Sequence, residues 1–310
     1  MGTQQRKEVK IKMGEIYQAI NEKRSVAEVI SHHNPGYLSI AGAQDKFSAI
    51  FKDGEFSLPA NGFPTTHIVK VPIYRSKVKE SVYNEYYCMK LAGLVGLRVP
   101  KCNVFDHKKH PLYITERYDR KIEKFVKRIH QQDFCQAQGV VSEQKYEAKG
   151  GPSLKDNYQL IKSNVTISKR SKALFDYLDW ICFNLLIGNN DSHSKNISFL
   201  LNMGEIELAP FYDLICTAIY PKLKKNFSFT IGDRDDASRV GKKQFEMVDE
   251  NLGLKLGTMS LRATKMSDKL LKYKDELANE IKEELPGAKL VKRISDLIGN
   301  RCESLSRQGL

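Results

Sequence analysis

The stretch SKALFDYLDWICFNLLIG, residues 171–188, restricts the possible folds more than any other part of this chain. Leu174, Leu178, Ile181 and Leu185 recur on one helical face, with Phe175, Cys182 and Leu186 beside it. A helix this apolar has to be surrounded by other elements, and Gly188 is placed to stop it. Asp176 and Asp179 interrupt the run, which is too short and too polar to span a bilayer. Directly after it comes NNDSHSKN, residues 189–196, followed by a second apolar run, ISFLL. Polar side chains held between two segments that read as buried form a candidate site.

The rest of the chain arranges itself around that helix. FSAIFKDGEFSL is two apolar runs about Lys52-Asp53-Gly54, a hairpin signal. THIVKVPI reads as a third strand, ESVYNEYYCMKLAGLVGL as a helix, and RVPKCNVF and PLYITERYDR as further strands. From about residue 130 the pattern turns helical, with HQQDFCQAQGV opening a short helix and a break at Lys149-Gly150-Gly151-Pro152. NISFLL and IELAPF read as strands around Asn202-Met203-Gly204, and helix resumes from about residue 259, broken at Pro286-Gly287. The expected class is α+β in two lobes, strand-rich over 1–117 and mostly helical over 118–310. The junction falls in TERYDR, a natural place for a cleft.

Composition narrows the function classes. A formal charge of +13 suits acidic partners such as ATP, nucleic acid or an acidic protein surface, and equally suits simple solubility. Lys121, Lys124, Lys127 and Arg128 form one basic run, and Lys222, Lys224 and Lys225 another. Neither accompanies a helix-turn-helix pattern or an aromatic-interleaved RNA motif. None of the six cysteines lies in a CxxC pair, as expected of reduced thiols in a cytoplasm rather than a disulfide framework or zinc site. MGTQQRKEVKIK lacks the apolar core of a secretory leader.

Within the polar cluster, Asp191 and Asn196 stand five residues apart, and Asp213 follows in APFYD. Phosphoryl transfer needs a carboxylate at the attacking hydroxyl and oxygen ligands for magnesium, and protein kinases use this same offset. Two carboxylates and an amide favour magnesium over zinc. The alternative is a loop whose Asp191 and Asn196 cap turns. His193 reads as a metal ligand or as a hydrogen-bonding scaffold. Lys70, on the THIVKV strand, suits a phosphate-holding lysine oriented by Glu85 of the next helix, or else an edge-strand charge. Ala41, Gly42 and Ala43 let backbone N–H groups approach a phosphate, without forming GxGxxG or a Walker loop. All these features fall in kinase order along the chain.

The stretches LSIAGAQDKFSAIF, PTTHIVKVP, NEYYCMKLAGLVGLRVP, ITERYDR, DFCQAQG, KYEAKGGP, IGNNDSHSKNISFL and LAPFYDLICTAIYP resemble those of HipA-type serine/threonine kinases, toxins of bacterial toxin–antitoxin modules. The resemblance runs from about residue 30 to at least residue 250. It implies a two-lobed protein-kinase-like fold using ATP and Mg2+. It further implies Asp191 as catalytic aspartate, Asn196 and Asp213 as magnesium ligands and Lys70 as phosphate-binding lysine. Gln44 would join Ala41, Gly42 and Ala43 in the nucleotide loop, Glu116 and Tyr118 would form the adenine hinge, and Ser39 would be autophosphorylated. Only about 30 residues precede the loop, so the chain most resembles the shorter HipT branch of three-gene HipBST modules. Some HipT members carry a second loop serine where this chain has Ala41. The resemblance implies an aminoacyl-tRNA synthetase as protein substrate, the tryptophanyl enzyme for HipT, with arrest of translation. It implies as partners a small HipS-like protein and a HipB-like helix-turn-helix antitoxin, contact with DNA only through that antitoxin, and no membrane. The other readings are a nucleic-acid-binding component and a catalytically silent kinase-like scaffold.

Overall fold

The computed structural model describes residues 8–33, 44–59, 63–73, 77–105, 110–123 and 125–309. These group into two compact units, one of residues 1–86 and 100–129, the other of residues 87–99 and 130–310.

The first unit is built on a six-stranded antiparallel sheet, ordered β1-β3-β2-β4-β6-β5. Its strands are β1 (Glu8–Lys10), β2 (Lys46–Lys52), β3 (Glu55–Pro59), β4 (His67–Lys70), β5 (Cys102–Phe105) and β6 (Leu112–Glu116). Asp53, at φ 52°, and Gly54, at φ 79°, make the expected β2–β3 turn, both in the left-handed region such tight turns require. Alternation decides the faces: Phe47, Ala49, Phe56, Leu58, Val69 and Ile114 are buried in one core. Two helices that periodicity alone did not disclose, α1 (Met13–Asn21) and α2 (Val26–His33), add Ile16, Ile20 and Ile30 to it. Asp45 accepts from the N–H of Val26 at 2.6 Å, at the start of α2. β7 (Arg120–Ile122) and β8 (Val126–Arg128) form a small hairpin. Helix α3 (Ser81–Leu94) contains a boundary between the units and is buried on nearly all sides.

The second unit is largely helical, with α5 (Leu154–Asn164), α6 (Ile167–Ile187), α7 (Lys242–Leu252), α8 (Thr258–Glu284) and α9 (Leu290–Arg307) following the short α4 (Phe134–Ala137). Trp180 of α6 is fully buried and stacks on Tyr177 and Phe211, both with centroids 5.9 Å away. Pro286 and Gly287 separate α8 from α9, as expected, because proline removes a helical N–H. Phe175 departs from the expected buried stripe: it is exposed beneath the Arg262 guanidinium, 4.3 Å from its ring centroid.

A three-stranded sheet, β9 (His130–Asp133), β10 (Ser198–Asn202) and β11 (Glu205–Leu208), carries the region after α6. Here the sequence misleads. HQQD is not the start of a helix but a strand paired to β10, with Gln132 opposite Phe199. Only then does Asp133 cap the one-turn α4, in a reciprocal capping box with Gln136. Among the described residues no helix is long and apolar enough to cross a membrane.

Candidate active site

In the first unit, β4 places Lys70 in mid-sheet, opposite Lys46 on β2 and Tyr113 on β6. It is therefore not an edge-strand charge. Its Nζ donates to Glu85 Oε1 at 2.7 Å, and both side chains are buried, 8% and 5% exposed. The ammonium also lies 5.6 Å from the Tyr113 ring centroid. Helix α3 is aimed at β4 by a local bond, the N–H of Ile73 donating to Ser81 Oγ at 2.9 Å. Burying an ammonium and a carboxylate together is costly without function or close pairing, and this pair has the geometry to hold a ready cation.

Gln44 sits beside the end of the same strand, its Nε2 donating to the Val71 carbonyl at 2.8 Å. Ser39, Ala41, Gly42 and Ala43 lie outside the described residues. Glu116 closes β6, and its N–H donates to the Lys101 carbonyl, while the Arg117 N–H donates to the Thr66 carbonyl. Tyr118 is partly buried beside it. Asp119, which no sequence motif singles out, is buried and bonded by Arg117 at 2.7 Å and Arg120 at 2.7 Å. Burial opposes ionisation of Asp119, but bonds and charge from the two guanidiniums outweigh it and hold its carboxyl below the usual range. The alternating charges of ERYDR were the available signal.

In the second unit, α6 ends as expected at Gly188, at φ 74°, and its backbone then turns into the polar loop. The loop is held by its own asparagines. Asn189 Nδ2 donates to Asn184 Oδ1 at 2.8 Å and Asn190 Nδ2 to the carbonyls of Lys224 and Lys225. Asn196 Nδ2 donates to the Asp191 carbonyl at 3.0 Å, closing the five-residue loop between them. Asp191 keeps its side chain 52% exposed. Its Oδ1 accepts a 2.5 Å bond from the Tyr146 hydroxyl, a residue 45 positions away that no local pattern marks as a partner. Three ammoniums, of Lys145, Lys149 and Lys224, lie 5.1, 5.9 and 5.6 Å from the Tyr146 ring centroid.

His193 packs beside Asp191 within this loop. It is buried edge-on to Tyr146, with centroids 5.1 Å apart, and Nε2 is 3.9 Å from Asp191 Oδ1. Burial pushes its pKa down to about 4, more than the Asp191 carboxylate raises it, so the ring is neutral near pH 7 and the approach is no ion pair. Three buried polar atoms of this loop, Asn190 Oδ1, Ser192 Oγ and His193 Nδ1, lack a hydrogen-bond partner among the described residues. Such atoms are costly in a finished core and mark places where solvent or ligand completes the bonding.

The β10–β11 hairpin leads, as expected, to Asp213. The Tyr212 hydroxyl meets Ser198 Oγ at 2.7 Å and donates to the Lys195 carbonyl at 2.8 Å, tying this segment to the loop. Asp213 itself adopts φ 54°, a left-handed conformation rare for a side-chain-bearing residue and more often tolerated by Asp and Asn. Its carbonyl accepts from Asn189 Nδ2 at 3.4 Å. Among the described residues no group of three His, Cys, Asp or Glu could hold a metal. An amide oxygen from Asn196 and a carboxylate from Asp213 are hard oxygen donors, a set that fits magnesium sharing its remaining positions with water and phosphate.

Residues 38–284 match the family described as HipA-like C-terminal domain. The chain is 37% identical over 233 residues to the putative kinase Y4mE of Sinorhizobium fredii, covering 74% of this chain and 54% of that protein. It is 30% identical over 244 residues to the serine/threonine-protein kinase toxin HipA of Shewanella oneidensis, covering 75% of this chain and 55% of that one. It thus spans about half the length of these curated relatives. A solved Shewanella oneidensis toxin–antitoxin complex of HipA, HipB and operator DNA contains a chain similar in fold at a TM-score of 0.82 and 26% identity. That match covers 99% of this chain and 74% of the other. The expected HipA-like α+β fold is therefore present, and the chain belongs to the HipA-like C-terminal domain family.

Proposed function

We propose that this chain is a serine/threonine protein kinase of a bacterial toxin–antitoxin system, dependent on ATP and magnesium. The observation that carries the reading is the buried Lys70–Glu85 ion pair, a strand lysine oriented by a helix glutamate as phosphate binding requires. Names of the relatives as kinases and as a kinase toxin support it.

In the proposed reaction the acceptor oxygen bonds to the γ-phosphorus as the bond from that phosphorus to the β–γ bridging oxygen breaks. Asp191 orients the hydroxyl and accepts its proton, and ADP leaves with the bridging oxygen. Lys70 neutralises phosphate charge. Magnesium, held by Asn196 and Asp213, would offset charge on the phosphates when bound. Glu116 and Tyr118 would meet the adenine, and Ala41, Gly42, Ala43 and Gln44 would cover the phosphates. Ser39 would be the autophosphorylated residue. The working lobes would be 1–117 and 118–310. An aminoacyl-tRNA synthetase, the tryptophanyl enzyme if the chain is of the HipT branch, is the proposed substrate, with arrested translation as the result. A HipB-like antitoxin is the proposed partner, supported by the presence of HipB beside HipA in the complex that contains the structural relative, and a HipS-like protein is proposed with it. The proposed site of action is the cytoplasm.

The test is phosphate transfer from γ-labelled ATP into a cell extract, followed by identification of the labelled protein. Asp191→Asn should lower transfer by about a hundredfold or more while the folded variant still binds nucleotide. Wild-type transfer by that variant would remove Asp191 from the mechanism.

A further inference from the structure

Within the second unit, a cavity of about 490 Å³ opens between α9, the last turn of α6 and the short turns at 217–219 and 237–239. Its walls are mixed in a particular way. Leu186, Val240, Leu297 and Leu305 supply an apolar lining, and Arg301 and Arg293 bring two cations to it. Asp296 also lines the cavity, but its carboxylate faces Lys292 at 3.4 Å.

Arg301 is the informative residue. It is partly buried, and one guanidinium nitrogen, Nη1, donates to the Leu185 carbonyl at 2.6 Å. Among the described residues it forms no ion pair. Cys216 and then Asp236 favour its charge from nearby, and Asp236 is itself engaged with Ser238 and with Arg239 at 3.5 Å. Three other partly buried arginines are matched directly, Arg262 by Asp179, and Arg117 and Arg120 by Asp119, whereas Arg170 donates to the Val165 carbonyl at 3.2 Å and, among the described residues, forms no ion pair. Burial depresses the guanidinium pKa of Arg301, and a guanidinium in a protein keeps its charge. A partly desolvated cation bonded to one backbone carbonyl, at the wall of a cavity with an apolar side, is an arrangement that suits a carboxylate or phosphate on an apolar body.

We propose that this cavity is a binding site for a small organic anion, its acidic head on Arg301 and its apolar body against Leu186, Val240, Leu297 and Leu305. The site stands apart from Asp191, Asn196 and Asp213, none of which lines it, and the proposal does not depend on the kinase reading. Full-length protein is titrated calorimetrically with octanoate, octyl phosphate and octanol. At least one anion should bind saturably, one to one, and at least tenfold more tightly than octanol. The tighter of the two anions names the head group.

Arg301→Gln keeps a donor for the Leu185 carbonyl and removes the charge, so it should erase the advantage of the anions over octanol. Ser304→Trp fills the cavity from its lining and should abolish binding of all three, which keeps the test open if the Arg301 variant does not fold. No saturable binding of either anion overturns the proposal. So does octanol binding as tightly as the anions, or unchanged binding in a folded Ser304→Trp variant.

Discussion

Lys70 and Glu85 show what a single pair decides. The pair is charged and nearly sealed from water. Removing one partner of such a pair typically costs about 3–5 kcal/mol, because a charge stays buried without its counter-charge, whereas replacing both by apolar side chains is often close to neutral. Glu85→Gln should therefore lower stability by about 3 kcal/mol in urea unfolding, and the double change Lys70→Met with Glu85→Leu should cost less. A double variant less stable than Glu85→Gln would show that the pair stabilises the fold outright. Tyr146 acts within the second unit, where Asp191 also lies. Its hydroxyl holds one oxygen of Asp191, the proposed base, at 2.5 Å. A hydrogen bond to a charged group contributes about 1.5–3 kcal/mol, so Tyr146→Phe should lower kcat for phosphate transfer about tenfold or more. Calorimetry should find nucleotide affinity unchanged. A wild-type kcat would mean that Asp191 is held by its own loop alone.

At the scale of elements, α6 and its stop carry the loop. An added Cβ at Gly188 would stand 2.8 Å from the Ala218 Cβ, and the backbone there is at φ 74°. The left-handed conformation costs a side-chain-bearing residue about 1–2 kcal/mol, and crowding adds to it. Gly188→Ala should lose about 2 kcal/mol or more, read from the denaturation midpoint at unchanged slope. An unaltered midpoint would mean that the turn relaxes and that Gly188 is not what ends the helix. Elements with strong local signals were legible: the β2–β3 hairpin from Asp53-Gly54, α6 from its apolar stripe, and the α8–α9 break from Pro286-Gly287. β9 was not. His130, Gln131 and Gln132 have no strand character of their own and become extended because β10 supplies the hydrogen bonds.

For the molecule as a whole, the proposed cofactors make a thermodynamic prediction. Ligand at about a hundredfold over its Kd stabilises the folded state by about 2.7 kcal/mol. For a chain of 310 residues that is a rise in Tm of about 4 °C. ATP with magnesium should produce it in scanning calorimetry. Chelating the magnesium should remove most of it, and Asp213→Asn, which tolerates the same left-handed backbone, should shrink the magnesium-dependent part. An identical shift with and without magnesium would count against Asn196 and Asp213 as ligands.

By itself the sequence determined what local patterns can encode: which segments alternate or repeat at helical period, where glycine and proline interrupt them, and the five-residue offset between Asp191 and Asn196. It also offered Lys70 and Glu85 as a strand lysine and a helix glutamate of the kind phosphate binding uses. Tertiary structure alone decided which distant groups complete these sites. Tyr146 reaches Asp191 across 45 residues, and Arg301 reaches the Leu185 carbonyl across 116. Nothing near either residue in the chain specifies its partner. Each contact exists because buried helices and paired strands bring separate backbones together, and a polar side chain arriving there must bond to whatever it meets.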